Sequence, residues 1–228
     1  MNKYWDFKSR DEMLSHLIGE NYGTNPAQAL SEIQKDKRTI AETIKVRLKL
    51  GPEDVGLDIG SGPGFIALAL SKSVKQLHCF DISSSFLNLA KEHCKDAVNI
   101  SFHLSSPAGN TSNLDFLAAS NLSFCYSENV FCHLNQYEID LYMDQVSNKL
   151  KPGGLFLFDF LDFTMLDFKD PIYQNMKGLF SKGTPLNNLY NYNSQETIGR
   201  LAEYHGFKIQ DVLQFPVFGS CSICLKKL

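Results

Sequence analysis

The sequence predicts an α/β fold, a Rossmann-like, doubly wound and mostly parallel sheet with helices on both faces. Between residues 55 and 158, short apolar runs of strand length alternate with segments of helical periodicity. Parallel strands need a crossover between them, usually a helix, so this alternation is typical of a sheet covered on both sides. The 228 residues are enough to build a full hydrophobic core.

Residues 1–50 are predicted to form an N-terminal helical extension, and residues 51–228 the α/β domain. A capping box from Ser9 to Glu12 indicates the start of a first helix. At Asn25 and Pro26, a capping residue is followed by a proline, which is typical of the first position of a second helix. The domain organisation expected is therefore one compact domain with a helical extension before it.

Seven strands are expected, at residues 55–59, 76–81, 98–104, 122–126, 155–158, 207–213 and 220–225. The helices between them are predicted to begin at Phe65, Ser83, Asn135 and Ser194. Residues 151–154 are interpreted as a break before the fifth strand. Residues 105–121 and 161–193 show no clear periodicity, and long irregular stretches in compact domains are often functional.

Composition and charge exclude several classes of protein. The net charge of −3 argues against a nucleic-acid binder that works by bulk basicity. No apolar run is long enough for a membrane span, and the N-terminus shows no signal peptide, so a cytoplasmic location is expected. The six cysteines are interpreted as reduced core residues. Cys221 and Cys224 supply only two of four zinc ligands, so no metal site is expected, and His103 is interpreted as structural.

The strongest functional signal is the segment LDIGSGPG at residues 57–64, where the first strand ends and a helix begins. Glycines in this position permit a tight turn and let a ligand approach the backbone closely. The second strand ends at Asp81, which lies 21 residues after Gly60. A carboxylate at this place can accept both hydroxyls of a ribose. Together, the loop and the acid indicate a nucleoside-binding site.

The spacing of the glycines and the acid before them distinguish between a dinucleotide and S-adenosylmethionine as the ligand of the loop. A dinucleotide site has the pattern GxGxxG, whereas the pattern here is GxGxG. Asp58 stands directly before the loop, and its carboxylate would repel a pyrophosphate but attract a cation. S-adenosylmethionine carries both a sulfonium and an ammonium group. The loop is therefore expected to bind S-adenosylmethionine rather than NAD.

At this point the sequence resembles the class I S-adenosylmethionine-dependent methyltransferases, in particular those that act on small molecules. The segments similar to the family's motifs are residues 57–64, 80–83, 126–134, 150–157 and 206–207. The resemblance implies a seven-stranded sheet whose last strand is antiparallel. It also implies S-adenosylmethionine as methyl donor, S-adenosylhomocysteine as product and a small-molecule acceptor.

The resemblance further implies roles for individual residues. For the methionine half of the cofactor, Asp58 is expected to orient the ammonium group, and Gly60, Ser61, Gly62 and Gly64 are expected to line the site. For the nucleoside half, Asp81 is expected to bind the ribose and Ile82 to pack on the adenine. Ser127 and Glu128 are expected beside the methyl group. Many members carry an acid after strand three, which is absent here. Ser105 or Ser106 could take over its contact with the adenine, and Tyr22 is a candidate residue of an N-terminal lid.

A base helps when the acceptor is a hydroxyl or an amine. His133, which follows strand four on the cofactor side, is the first candidate, and Asp159, at the end of strand five, is the second. The acceptor pocket is expected to form from the N-terminal helices and residues 163–192. Structural alternatives remain open: Asp58 could cap the glycine turn, Asp81 could cap a helix, Glu128 could be solvated, and His133 could be structural. Two other functions also remain open, a methyltransferase-fold module that binds without turnover and an NAD(P)-dependent oxidoreductase.

Overall fold

The computed structural model describes residues 5, 7, 9–18, 26–105, 114–183, 190–215 and 219–228. Two of the predicted site residues, Tyr22 and Ser106, lie outside the described residues. The chain divides into two compact units, residues 1–108 and 109–228. Each unit contains both helices and strands.

The described residues of the first unit form three parallel strands and four helices. Its strands are β1 (Val55–Ile59), β2 (Gln76–Asp81) and β3 (Ile100–Leu104), and its helices are α1 (Arg10–Ile18), α2 (Pro26–Leu48), α3 (Phe65–Ser71) and α4 (Ser84–His93). β2 lies between the other two strands and pairs with each in parallel. This confirms the parallel pairing that the alternation of strands and helices predicts.

Local sequence signals account for the helix ends in this unit. The Ser9 hydroxyl oxygen accepts the Glu12 N–H, so the predicted cap of α1 forms. The Ser83 hydroxyl oxygen accepts the Phe86 N–H and caps α4 in the same way. Met13 of α1 is buried against Phe86 of α4, so the predicted first helix packs on the α/β part of the unit.

The second unit is organised around one long strand. Its strands are β4 (Leu122–Ser127), β5 (Leu150–Asp162), β6 (Tyr192–Asn193), β7 (Phe207–Phe215) and β8 (Ser220–Lys227), and its helices are α5 (Gln136–Lys149), α6 (Pro171–Ser181) and α7 (Gln195–Tyr204). β5 pairs in parallel with β4 and β6 and antiparallel with β8. β7 pairs antiparallel with β8 at the side away from β5. The antiparallel last strand is as predicted.

Aromatic side chains dominate the core of the second unit. Phe156 and Phe158 of β5 are fully buried, and the ring of Phe131 contacts both. Residues 155–158 form one continuous apolar run, as expected of a strand that is covered on both faces. Burial of a phenylalanine is worth roughly 1.5–3 kcal/mol. This ring cluster therefore fixes the 3₁₀ turn Phe131–His133, which follows β4.

The predicted α/β class, a mostly parallel sheet flanked by helices, is confirmed, whereas several boundaries differ. β3 starts at Ile100, because the side chain of Val98 is 99% exposed and packs against nothing. The break expected at residues 151–154 is wrong. The pairing jumps from Leu122–Leu150 to Phe124–Leu155, so these residues form a bulge within β5. The short strand β6 raises the number of described strands from seven to eight.

The six cysteines are free thiols and all are buried, as expected of reduced core residues. Among the described residues, no helix combines the length and hydropathy that a membrane crossing requires. The same residues contain no group of three or more histidine, cysteine or acidic side chains arranged to hold a metal ion.

Candidate functional site

The glycine loop after β1 is tied to the end of β2 by main-chain hydrogen bonds. The N–H groups of Gly60 and Ser61 both donate to the carbonyl oxygen of Phe80, at 2.7 and 3.1 Å. Gly60, Gly62 and Gly64 have φ angles of 75°, 51° and 78°. These left-handed conformations are costly for residues with a Cβ, which explains why glycine stands at each of the three positions.

Gly64 is additionally required for close packing against α4. A Cβ atom on Gly64 would lie 3.0 Å from the Ala90 Cβ and 3.1 Å from the Cys94 Sγ. The same end of α4 holds the loop through side chains, since His93 Nδ1 lies 2.9 Å from the Pro63 carbonyl oxygen. The Cys94 thiol also donates to the Gly64 carbonyl oxygen at 3.5 Å. The loop is therefore clamped from one side.

The other side of the loop has room for a ligand. A Cβ atom on Gly62 would meet nothing within 4 Å. The Ser61 hydroxyl oxygen is buried, and it forms no hydrogen bond with a nitrogen or oxygen of the described residues. A hydrogen bond between the Ser61 side chain and the Cys79 thiol lowers the pKa of that thiol, against the larger effect of burial. A thiol is a weak partner, so the hydroxyl keeps capacity for a contact with a bound molecule.

Asp81 connects the glycine loop to the start of α4. Its carboxylate is 6% exposed, and its two oxygens accept the N–H groups of Gly62 and Ser83, each at 2.8 Å. Burial raises the pKa of Asp81 to about 6, and these N–H groups, together with that of Ile82, oppose the rise. Three N–H groups on a carboxylate with about four lone-pair sites leave room for a further donor. The N-cap of α4 is Ser83, and Asp81 accepts the N–H of this capping residue, so Asp81 also supports the start of the helix.

Asp58 is buried beside two thiols. It lies in β1 opposite Cys79 of β2, with 3% of its surface exposed. Burial raises the pKa of the Cys79 thiol well above its usual range, and the Asp58 carboxylate adds to the rise. The pKa of Cys94 rises to about 11 for the same two reasons, in the same order. The Asp58 carboxylate therefore acts as a source of negative charge in a weakly screened environment next to the loop.

Two more predicted adenine contacts lie at the end of β2 and β3. Ile82 follows Asp81 and is 43% exposed, so its apolar face is available to a flat ring. Ser105 is buried, and its N–H donates to the Asp81 carbonyl oxygen at 2.7 Å. Of the two serines proposed to replace the missing acid, Ser105 is the one that the structure describes, and it lies beside Asp81.

The end of β4, in the second unit, brings two predicted acids together. Asn129 has a φ of 58°, and its N–H donates to Asp159 Oδ1 at 2.7 Å. Burial raises the pKa of the Cys132 thiol well above its usual range, and Asp159 and then Glu128 add to the rise. Both carboxylates therefore act on the same thiol. Ser127, the last residue of β4, is buried directly before them.

Asp159 was expected at the end of strand five, and this expectation is wrong. β5 continues to Asp162, so Asp159 lies inside the strand, opposite Ser222 of β8. Asp159 accepts the N–H of Asn129, whose left-handed conformation is costly for an L residue. Asp159 is thus positioned to hold the turn after β4.

His133 ends the 3₁₀ turn and stacks on Tyr190, with ring centroids 4.9 Å apart and planes at 21°. The segment before β6 holds this turn in place. The Asn191 side-chain amide donates to the His133 carbonyl oxygen at 2.8 Å, and the Asn191 N–H donates to the Cys132 carbonyl oxygen at 2.7 Å. The role of Asn191 could not be predicted, because one polar residue in an irregular stretch gives no periodic signal.

Four aromatic rings gather on the same unit around Tyr192. Tyr192 contacts Phe163 and Tyr173, and Phe168 contacts both of these, with centroids between 5.5 and 6.4 Å apart. Burial raises the pKa of Tyr192 to about 12, and the Asp170 carboxylate adds to the rise. Phe163 and Phe168 are each 51% exposed. Part of the region expected to form an acceptor pocket is therefore an accessible aromatic surface.

Residues 57–154 match the family model described as a methyltransferase domain. This part of the chain, 98 of its 228 residues, is similar to a methyltransferase domain. The match begins at the glycine loop and includes β2, β3, β4 and the start of β5. The predicted resemblance to methyltransferases, which rests on residues 57–64 and 80–83, is therefore confirmed. The match favours a methyltransferase over the alternative of a dinucleotide-binding oxidoreductase.

Solved structures of methyltransferases share the fold. Magnesium protoporphyrin IX methyltransferase from Synechocystis PCC 6803, with bound S-adenosylhomocysteine, is 12% identical with a TM-score of 0.68, over 99% of this chain and 97% of that one. Geranyl diphosphate C-methyltransferase from Streptomyces coelicolor A3(2) is 11% identical with a TM-score of 0.71, over 99% and 96%. At such identities the likeness concerns the fold, which extends over nearly the whole chain.

Proposed function

We propose that this protein transfers a methyl group from S-adenosylmethionine to a small-molecule acceptor. The observation that carries the proposal is the glycine loop itself. Its open side at Gly62 lies next to the buried Asp81 carboxylate, which bonds the Gly62 N–H and keeps further lone pairs. A methyltransferase domain with this loop has the polar groups that a ribose and an amino acid need.

The residues of the first unit divide the work of holding the cofactor. Asp81 would accept the ribose hydroxyls, and Ile82 would pack on the adenine. The Ser61 hydroxyl and the main chain at Gly62 would contact the methionine half, with Asp58 favouring its ammonium through charge. When bound, the cofactor supplies a methyl group on a sulfonium, which leaves as a neutral thioether. Gly60 and Gly64 serve the shape of the loop.

The residues of the second unit would handle the acceptor. We assign the general base to His133, because Tyr190 and Asn191 fix its ring and its main chain. Orientation of the reacting groups is the protein's main contribution to a displacement of this kind. We assign Asp159 a positioning role, through Asn129, instead of the role of second base. Ser127 and Glu128 stay predicted neighbours of the methyl group.

The exposed rings of Phe163 and Phe168 support a small and partly apolar acceptor. Two of the similar structures belong to enzymes named for small molecules, geranyl diphosphate and magnesium protoporphyrin IX. Another similar structure is a putative methyltransferase from Haloferax volcanii in complex with the activator Trm112. A protein partner is therefore a second requirement to test if the isolated chain is inactive. The cytoplasmic location and the N-terminal lid stay predictions.

Binding of the product analogue tests the cofactor assignment. Calorimetry with S-adenosylhomocysteine and NAD should compare the wild type with Asp81→Asn. Loss of charged hydrogen bonds should weaken the binding of S-adenosylhomocysteine by about 1.5–3 kcal/mol, which raises its Kd roughly 10–150-fold. Equal affinity in the two proteins would refute the role of Asp81.

Asp162→Asn is the matched control for this experiment. Asp162 is 1% exposed, and its two oxygens also accept main-chain N–H groups, from Thr164 and Gln195. The control therefore suffers a similar structural loss at a buried carboxylate. It should keep its affinity for S-adenosylhomocysteine, and a loss as large as that of Asp81→Asn would show that the effect is one of general stability.

A further inference from the structure

Four aromatic rings of the second unit form a closed circuit. They are Phe163 of the 3₁₀ turn Phe163–Met165, Phe168 of the segment before α6, Tyr173 of α6 and Tyr192 of β6. Taken in this order and back to Phe163, the ring centroids are 5.5, 5.5, 6.1 and 6.4 Å apart. The planes of successive rings meet at 69°, 75°, 70° and 76°, as the walls of a box do. We call these four rings the aromatic box.

The aromatic box has the size that a small organic cation needs. A cation is attracted by the face of an aromatic ring when it lies within about 6 Å of the ring centroid. Four centroids separated by sides of 5.5–6.4 Å lie on average about 4 Å or less from their common centre. A cation on the axis of the box, up to about 4 Å above this centre, therefore stays in range of all four rings.

The aromatic box is open to solvent. Phe163 and Phe168 are each 51% exposed, and Tyr173 and Tyr192 are half-buried. No residue of α6 is buried. Rings that only filled a core would be covered, as Phe156 of β5 is. The exposure of the two phenylalanines therefore leaves a side from which a ligand can reach the ring faces.

A carboxylate provides negative charge beside the aromatic box. Asp170 Oδ1 accepts the N–H groups of Ile172 and Tyr173, at 2.8 and 3.4 Å, which fixes this carboxylate at the start of α6. Burial raises the pKa of Tyr192 to about 12, and the Asp170 carboxylate adds to the rise, so its charge acts on the box. The other two charged residues between positions 163 and 173, Asp167 and Lys169, are exposed and opposite in sign. The charge beside the box therefore favours a cation.

The aromatic box lies on the segment that also holds His133. Tyr190 stacks on the His133 ring, with centroids 4.9 Å apart, and the Asn191 side-chain amide donates to the His133 carbonyl oxygen at 2.8 Å. Tyr192 of the box is the next residue along the chain. A small molecule held by the box is therefore close to the residue that we assign as the general base.

We propose that the aromatic box binds an alkylammonium group of the acceptor, with Asp170 as its counter-charge. The inference rests on the proposed function, since it takes the molecule held beside His133 to be the methyl acceptor. An ammonium nitrogen has no lone pair, so the box holds one end of the acceptor and another atom of the same molecule takes the methyl group. The acceptor class is then a small organic cation, with alkyl groups that suit the half-exposed rings.

NMR titration of the full-length chain with choline tests the proposal. The control ligand is dimethylbutanol, the uncharged analogue of choline in which a carbon atom replaces the nitrogen. With ¹³C-labelled phenylalanine and tyrosine, choline should shift the ring signals of the aromatic box. Its Kd should be at least about fivefold lower than that of dimethylbutanol, because the two ligands share one shape and only choline gains the attraction between cation and ring faces.

Variants of one exposed ring identify the site. Phe168→Leu keeps an apolar side chain without a ring face, and it should raise the Kd of choline about 2–5-fold. Phe168→Tyr keeps the ring and should bind choline like the wild type. Phe180→Leu is the matched control, because Phe180 is 55% exposed and belongs to α6 but not to the box. This control should also leave the Kd of choline unchanged.

Several results would overturn the aromatic box as a cation site. They are the absence of choline binding, equal Kd values for choline and dimethylbutanol, ring shifts confined to residues outside the box, or equal effects of Phe168→Leu and Phe180→Leu. None of these results bears on the affinity for S-adenosylhomocysteine. Failure of the chain to bind S-adenosylhomocysteine would instead overturn the proposed function, so the two failures are distinguishable.

Discussion

Gly64→Ala should destabilise the first unit far more than Gly62→Ala, although both residues have positive φ angles. A Cβ at either position meets the strain of a left-handed conformation, about 1–2 kcal/mol. At Gly64 it would also lie 3.0 Å from the Ala90 Cβ and 3.3 Å from the Ala90 Cα, whereas at Gly62 it would meet nothing within 4 Å. Overpacking of this kind costs a further 1–3 kcal/mol or so. We therefore expect losses of about 2–5 kcal/mol for Gly64→Ala and about 1–2 kcal/mol for Gly62→Ala.

Urea unfolding followed by tryptophan fluorescence measures this difference. The chain has one tryptophan, Trp5, which belongs to the first unit and packs on its Met13–Phe86–Leu89 cluster. Gly183→Ala is a control outside this unit, since it has a φ of 91° and open space around a Cβ. Equal losses for Gly62→Ala and Gly64→Ala would refute the close approach of α4 to the glycine loop.

Three other outcomes follow from the site. Burial raises the pKa of Asp81 to about 6, so the native chain holds a proton that the unfolded chain releases above roughly pH 4. Its contribution to the free energy of unfolding should therefore fall by about 1–3 kcal/mol from pH 4 to 7, and urea titrations of Asp81→Asn should lack this part of the pH dependence. His133→Ala should lower turnover by roughly 10²–10⁴ at unchanged affinity for S-adenosylhomocysteine; equal turnover on the identified acceptor would make His133 structural. Asp159→Asn should keep most of the turnover that Asp159→Ala loses, because an amide oxygen can still accept the Asn129 N–H; equal loss in steady-state assays of both would indicate that the charge itself is needed.

The cofactor half of the site could be predicted because its signals are local. The glycines, Asp58 and Asp81 lie at strand ends, where chain order alone decides which side of the sheet they reach. The hydrogen bond from the Gly62 N–H to Asp81 was not predicted, although it ties the two motifs together. It depends on side-chain rotamers and on the burial of the carboxylate, neither of which has a pattern in the sequence.

Much of residues 161–193 was not predicted. α6 has a signal in Asp170 and Pro171, the same cap and proline that correctly predicted α2. It was not predicted although Ile172, Met176 and Leu179 recur at helical spacing; none of the residues of α6 is buried. β6 has only two residues, too few for any periodicity, and it forms because β5 continues to Asp162.

The residues proposed for catalysis show most clearly what the order of elements along the chain cannot predict. Asp159 was chosen as a candidate base from its place after strand five, whereas the structure puts it inside β5 with the Asn129 N–H on its carboxylate. His133 was chosen in the same way, and it lies in a turn held by Asn191, 58 residues later. Contacts over such distances follow from the packing of β6 and the 3₁₀ turn, which sequence patterns do not encode.

Calorimetric titration of the wild-type chain with S-adenosylhomocysteine and, separately, with NAD tests the central claim most directly. The account predicts one S-adenosylhomocysteine per chain and no binding of NAD, because the loop has open space at Gly62 and a carboxylate at Asp58 that disfavours a pyrophosphate. Binding of NAD in preference to S-adenosylhomocysteine, or binding of neither, would contradict it.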